Sequence, residues 1–279
     1  RKVETFFEKR KLEKALSNEQ LEIRNSLYKM LSDVLFVPDH KEPRLYHPRI
    51  NAQKTNLYKT LAENERAAFD RIHEDFFYHR HNEFWYQQGM QKLPQLIRST
   101  HMLVCGEDLG MIPTCVPRAM NELQILSLEI QRMPKGWTEF ADPSEYPYHS
   151  VATLSTHDMS TLRGWWEEDP SSTQRYFNLM LAHQGIAPSE ANGTLCEEII
   201  RRQLTSRSVL CILSFQDWIS INQDIRNPYI KKERINTPSN PKNYWRYRMH
   251  LTLEKLLKST TLNNRIRELI HHSERNPQL

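Results

Sequence analysis

The stretch Val151-Ala152-Thr153-Leu154-Ser155-Thr156-His157-Asp158 reads as a short apolar run that stops at an imidazole and a carboxylate. Helical spacing follows it, over Ser160 to Glu168 and again over Thr173 to His183. The same rhythm recurs on either side. His101 to Cys105 ends at Gly106-Glu107-Asp108, and a helical pattern runs from Pro117 to Leu123. Leu126 to Met133 is a further candidate strand, with Gln131 near its end. Thr194 to Arg207 is helical, and Val209 to Phe215 ends at Gln216-Asp217. Strands separated by helices imply a parallel sheet. Polar groups gathered just past strand ends are where a (β/α)8 barrel assembles its site. Four such units make half a barrel, and its open edges would need a partner.

Upstream the pattern is helical. Leu12, Leu16, Leu27, Met30, Leu31 and Leu35 recur at helical intervals between Val3 and Leu35, as one or two amphipathic helices. Pro38, Pro43 and Pro48 interrupt this and predict a loop around Tyr46-His47-Pro48-Arg49. Helical spacing resumes from about Asn56 to Gln91 and carries Phe76, Phe77, Tyr78, Phe84, Trp85 and Tyr86. Lys242 to Lys258 reads as a closing helix.

Composition narrows the function classes. With 38% hydrophobic and 10% aromatic residues, the chain of 279 residues has material for a core. Its formal charge of +4 is spread along the sequence. The basic runs Arg1 to Lys14 and Lys231 to Arg234 read as solvated faces, so no nucleic-acid partner is expected. Cys105, Cys115, Cys196 and Cys211 form no Cys-x-x-Cys pair, which suits a reducing, cytoplasmic setting. No apolar run approaches the roughly 20 residues of a membrane span, and no signal peptide opens the chain, so no membrane partner is expected either. The opening Arg1-Lys2-Val3, without an initiator Met, reads as the start of a fragment.

Glu107 and Asp108 are adjacent at a strand end, where neighbouring side chains point to opposite faces, so only one faces the lumen with ease. Alone, such a pair fits a helix cap or a solvated turn equally well. Thr156-His157-Asp158 alone would also fit as a cap, accepting backbone N–H groups of the following helix. Together the two strand-end carboxylates resemble what glycosyl transfer requires: an acid for the leaving oxygen, and anionic or hydrogen-bonding groups that favour an oxocarbenium-like transition state.

Longer phrases sharpen this. Cys-Gly-Glu-Asp-Leu-Gly-Met-Ile-Pro at 105 to 113, Leu-Glu-Ile-Gln-Arg-Met-Pro-Lys at 128 to 135, and Ser-Thr-His-Asp-Met-Ser-Thr at 155 to 161 with Gly164-Trp165-Trp166 resemble the 4-α-glucanotransferase (amylomaltase, disproportionating enzyme) family. So do Gln216-Asp217, Arg234-Ile235-Asn236-Thr237-Pro238 and Asn243-Tyr244-Trp245-Arg246-Tyr247-Arg248. The upstream phrases His47-Pro48-Arg49-Ile50 and Arg80-His81-Asn82-Glu83-Phe84-Trp85 are similar to its long-insert, plant-cytosolic-like branch.

The resemblance implies an α/β fold: the C-terminal half of a (β/α)8 barrel, about strands five to eight, over residues 100–279, after a helical insertion and barrel helices over residues 1–99. It makes Glu107 the general acid/base and Asp158 the stabiliser of the transition state, with His157 beside it at subsite −1. Gln131 would face substrate. Trp165 and Trp166 either offer a flat face to a glucose ring or belong to the core. Asn236, Asn243, Trp245 and Arg248 match the family's C-terminal signature, whose members either contact sugar or secure the barrel end. The implied reaction transfers α-1,4-glucan segments between maltooligosaccharides or longer glucans with retention, and needs no metal or organic cofactor.

The family's nucleophile, an aspartate in an Arg-Ile-Asp-His phrase, does not occur here. Asp33, Asp39, Asp70 and Asp75 have the wrong neighbours. The expectation is that the nucleophile and four strands belong to an N-terminal half of the same protein, and that this chain is inactive without it. An α-glucan hydrolase on the same barrel, a non-catalytic glucan-binding module and a basic nucleic-acid binder are the rival readings.

Overall fold

The computed structural model describes residues 2–11 and 16–275. It falls into two compact units, Arg1–Gly89 with Pro113–Cys115, and Met90–Ile112 with Val116–Leu279.

In the first unit the helical stretch expected over Val3 to Leu35 is two helices, Lys2–Lys11 and Asn18–Leu31; Leu12 lies outside the described residues. Ser17 starts the second helix through a capping box. Its hydroxyl accepts from the Gln20 N–H, and the Gln20 side chain accepts from the Ser17 N–H. The loop expected around Tyr46-His47-Pro48-Arg49 is instead partly a strand. Phe36–Pro38 (β1) pairs antiparallel with Tyr46–Pro48 (β2), Val37 opposite His47. The prolines are tolerated because they end short edge strands, where no ladder donor is required.

Asp39 closes this hairpin. It accepts from the N–H groups of Lys41 and Glu42 at 2.7 and 2.8 Å and meets His47 Nε2 at 2.7 Å. The Glu42 N–H, then His47 and the Lys41 N–H, hold its carboxyl at about 2. The helices Asn56–Thr60 and Glu63–Glu74 follow, then a π-helical turn at Asp75–His79 and the helix Asn82–Arg98, which belongs to the first unit up to Gly89. Its rings pack edge to face, Phe36 on Phe69 at 5.3 Å and Phe76 on Phe77 at 5.0 Å.

The second unit is built on a parallel sheet, Ser127–Ile130 (β3), Ser150–Thr153 (β4) and Leu210–Cys211 (β5), in that order. The run expected as a strand at His101 to Cys105 contributes one bridge, Cys105 to Leu126, in the same parallel sense. All four residues of β4 are buried, as expected for a strand covered on both faces. The last strand is shorter than its apolar run. Ser214 accepts from the Asp217 N–H and caps a helix at Phe215–Ile219, so Phe215, Gln216 and Asp217 are helical.

Leu162–Glu168, Pro170–Leu179 and Gly193–Leu204 pack their apolar sides into one core around Leu154, Leu162, Trp166, Tyr176, Ile199 and Ile200. The closing helix expected over Lys242 to Lys258 is corrected. Residues 243–249 are irregular, and the helix is confined to Leu253–Lys258 with Thr252 as its cap. A further amphipathic helix, Thr260–His272, buries Leu262 and Leu269, and its Arg265 reaches Glu197 at 2.7 Å.

Gly193 opens its helix where a Cβ would lie 2.5 Å from the Ile221 carbonyl oxygen. An alanine in a helix is usually worth up to about 1 kcal/mol over glycine. Here Gly193→Ala should have the opposite sign and destabilise by about 1–3 kcal/mol, because backbone rather than a side-chain tip must move. Urea denaturation checks this, and a gain in stability would refute the close approach.

Candidate active site

The sheet is parallel, so every residue just past a strand's C-terminus lies off the same edge. Glu107, Gln131, the segment Ser155 to Asp158, and Ser214 with Gln216 all lie there.

The segment after β4 is anchored before it carries chemistry. Ser155 donates to Asp217 Oδ2 at 2.9 Å, Ser214 donates to the same oxygen at 2.8 Å, and the Leu162 N–H donates to Oδ1 at 3.0 Å. Asp217 is fully buried. The next turn is clamped by cations. Arg132 donates to the Ser160 carbonyl, and Arg234 Nη1 reaches Ser160 Oγ at 2.8 Å and Glu168 at 3.0 Å. The Arg132 guanidinium lies over the Trp165 ring, 5.3 Å from its centroid, and burial draws its pKa down to about 10.

Beneath, Arg163 and Glu233 form a buried pair at 2.8 Å, with Thr161 donating to the other Glu233 oxygen and Gln216 to the Glu233 carbonyl. Burial raises the Glu233 carboxyl above the usual range against the pull of Arg163.

Between these anchors His157 and Asp158 are exposed. His157 Nε2 stands 3.5 Å from Asp158 Oδ2, and its ring packs at 5.0 Å against Trp245, itself 59% exposed. Asn236 Nδ2 donates to Asp158 Oδ1 at 2.6 Å, and the Asn236 backbone N–H donates to the His157 carbonyl at 3.1 Å. The fold thus brings together Asp158, His157 and Asn236, three of the residues expected to act on substrate. Trp245 joins them from the irregular segment expected to be helix.

Glu107 is exposed past the Cys105 bridge, with Oε1 accepting from the Leu109 N–H at 2.8 Å. Its neighbour Asp108, by contrast, is buried. Asp108 accepts from the Leu128 N–H at 2.9 Å and from Lys135 Nζ at 2.7 Å, and Lys135 also reaches Glu129 at 2.7 Å. This ammonium between two carboxylates pins the backbone on which Glu107 stands. Nothing in the spacing of 108, 129 and 135 signalled it, since the three meet only once β3 lies beside the Glu107 segment.

Gln131 and Trp165 are placed differently from that trio. Gln131 is 3% exposed, its Oε1 accepting from Tyr176 Oη at 2.7 Å, and its Nε2 is buried without a partner. Trp165 is half-buried against Phe140, Trp166 and Tyr176. Both line a small pocket with Arg132 and Leu154.

A family model described as 4-alpha-glucanotransferase matches residues 26–253. This chain belongs to the 4-alpha-glucanotransferase family. It is 35% identical over 254 residues to the 4-alpha-glucanotransferase DPE2 of Oryza sativa subsp. japonica, covering 91% of this chain and 27% of the relative. It is 31% identical over 186 residues to the 4-alpha-glucanotransferase of Chlamydia trachomatis, covering 65% and 35% respectively. The chain therefore spans about a quarter to a third of these relatives' length. In fold it is similar to the amylomaltase from Streptococcus agalactiae solved in complex with acarbose, with a TM-score of 0.52 at 19% identity over 68% of this chain and 35% of that one. No helix among the described residues is long and apolar enough to cross a membrane.

Lys135→Met would leave Asp108 and Glu129 buried without a cation. The variant should lose about 3 kcal/mol or more of stability, the cost of stranding one side of a buried pair. Chemical denaturation measures this, and a loss under about 1 kcal/mol would mean that water replaces the ammonium.

Proposed function

We propose that this chain supplies the acid/base and the stabilising carboxylate of a retaining 4-α-glucanotransferase acting on maltooligosaccharides or longer α-1,4-glucans. The observation that carries this reading is the Asp158 carboxylate, held by the Asn236 amide beside His157 on the sheet edge that also bears Glu107. In this reading the parallel strands are the later strands of a (β/α)8 barrel, residues 100–279, and residues 1–99 form the helical insertion with barrel helices.

The division of labour follows from surroundings. An acid/base must exchange its proton with a leaving or an entering oxygen, and Glu107 is an exposed side chain on a rigidly held backbone. A stabiliser must keep its negative charge near the anomeric carbon, and Asp158 has a fixed N–H donor on one oxygen and the His157 ring near the other. His157 and Asn236 would meet the sugar beside it. Gln131 and Trp165 line the small enclosed pocket beside Arg132, where the orphan Gln131 Nε2 has room for a water as its partner.

The reaction is a double displacement. A nucleophile attacks C1 of the donor while Glu107 gives its proton to the leaving glucan oxygen. Glu107 then takes a proton from the acceptor 4-hydroxyl as that oxygen attacks C1, and retention results. The four upstream aspartates are engaged elsewhere: Asp33 by the Asn56 N–H, Asp39 in its turn, Asp70 by Tyr58, and Asp75 by Arg80. The nucleophile would come from the part of the family's length that this chain does not span.

In the full-length protein, Glu107→Gln should slow disproportionation of maltotriose by roughly 10²- to 10⁴-fold. It should largely retain glycosylation from an α-glucosyl fluoride, whose leaving group needs no proton. Asp158→Asn should lower kcat far more than it changes KM, with both donors. Longer maltooligosaccharides among the products mark transfer, and glucose alone marks hydrolysis. Equal loss on both donors for Glu107→Gln would remove it from the acid/base role.

A further inference from the structure

We propose that Asn243 is a positioning residue that sets which way round the Asn236 amide stands, and thereby guarantees that Asp158 faces an N–H donor; this rests on the role given to Asp158 above.

Asn236 is bonded through both its backbone groups and is buried. Its backbone N–H donates to the His157 carbonyl at 3.1 Å, its carbonyl accepts from Arg234 Nε at 2.9 Å, and the residue is 8% exposed. What remains open is the terminal amide, whose oxygen and nitrogen exchange places by a half-turn. One orientation offers Asp158 a donor, and the other offers it a carbonyl oxygen, which repels a carboxylate.

Asp158, when ionised, only accepts, so it favours the donor. The second vote comes from Asn243, whose Nδ2 lies 2.7 Å from Asn236 Oδ1 and 3.5 Å from the Ile235 carbonyl. With its amide nitrogen between two oxygens, Asn243 acts as a donor toward Asn236. The hydrogen bonds therefore run in one direction, from Asn243 to Asn236 to Asp158, and each amide fixes the next.

The chain between the two asparagines is shaped to make them meet. The Asn240 N–H donates to the Thr237 carbonyl at 2.8 Å, the Asn243 N–H donates to the Asn240 carbonyl at 3.0 Å, and the Lys242 N–H donates to Asn240 Oδ1 at 3.0 Å. Two successive turns, with Pro238 and Pro241 fixing φ, fold residues 236–243 back on themselves. Trp245 then lies against His157, two residues beyond Asn243. The irregular backbone where a helix was expected is what delivers both side chains to the site.

Asn243→Asp tests this with almost no change of shape. Its carboxylate can only accept, so it takes the Asn236 NH2 for itself and turns the Asn236 carbonyl toward Asp158. In the full-length protein, kcat for maltotriose disproportionation should fall roughly 10- to 100-fold, the weight of one hydrogen bond to a charged group, with KM within about twofold. Acarbose, a cationic pseudo-oligosaccharide, should bind more weakly by a similar factor, because its charge stands in for the developing oxocarbenium.

The Asn236→Ala and Asn243→Asp changes should not add. The double variant should be no slower than Asn236→Ala alone, since Asn243 acts only through Asn236. If Asn243→Asp does not fold, Asn243→Ala enters the same cycle with a smaller expected loss. Additive losses, or a KM effect with unchanged kcat, would overturn the relay. Asp158→Asn, run in parallel, separates the levels. If Asp158→Asn is crippled while Asn243→Asp is wild-type, the relay alone fails. If Asp158→Asn is wild-type, the reading of the site fails and the relay with it.

Discussion

The fully buried carboxylate of Asp217 is the constraint on which the site-bearing edge depends. It accepts from Ser155 just past β4, from Ser214 just past β5, and from the N–H that opens the helix at Leu162. A carboxylate taken out of water is costly unless its oxygens are satisfied, so these donors cannot drift from it independently. Two strand ends and a helix start are thereby tied to one point. The turn left between Ser155 and Leu162 has little freedom, and His157 and Asp158 stand on that turn.

The contrast between Asp217 and Asp158 shows how a fold distributes roles among like residues. Both are aspartates shortly after a strand. One is enclosed by three donors and serves as a fastening. The other stays exposed, with a single amide donor and an imidazole beside it. The same division separates Glu107 from Asp108, where the buried member holds Leu128 and Lys135 so that the exposed one has a fixed base. In each case a chemically idle carboxylate supports a chemically available one, which is how a site on loops keeps its geometry.

Much of this was legible in the order of residues. Strand and helix alternation from Cys105 to Leu204 follows from hydrophobic spacing and local caps, which act over a turn or two of chain. Strand lengths were less legible, because an apolar run marks burial rather than pairing. Val209 to Leu213 is an unbroken apolar run with Phe215 just beyond it, yet the Ser214 cap between them ends the extended part early. The segment from Lys242 misled for a related reason. Its spacing suits a helix, but Asn243 and Trp245 have partners at the site that a helix would have drawn them away from. Helical propensity of a few tenths of a kcal/mol per residue loses to such contacts.

By itself the sequence determined that polar groups follow the strands and, through its motifs, that the chain belongs to the 4-alpha-glucanotransferase family, because both are properties of neighbours along the chain. It did not determine which carboxylates are buried, that Lys135 neutralises two of them, or that Gln131 spends its oxygen on Tyr176. Those outcomes rest on pairs far apart in the chain, as with Asn236 and Asp158, separated by 78 residues. Whether such groups meet depends on where the intervening strands and helices return the chain, and packing of the whole unit alone decides that.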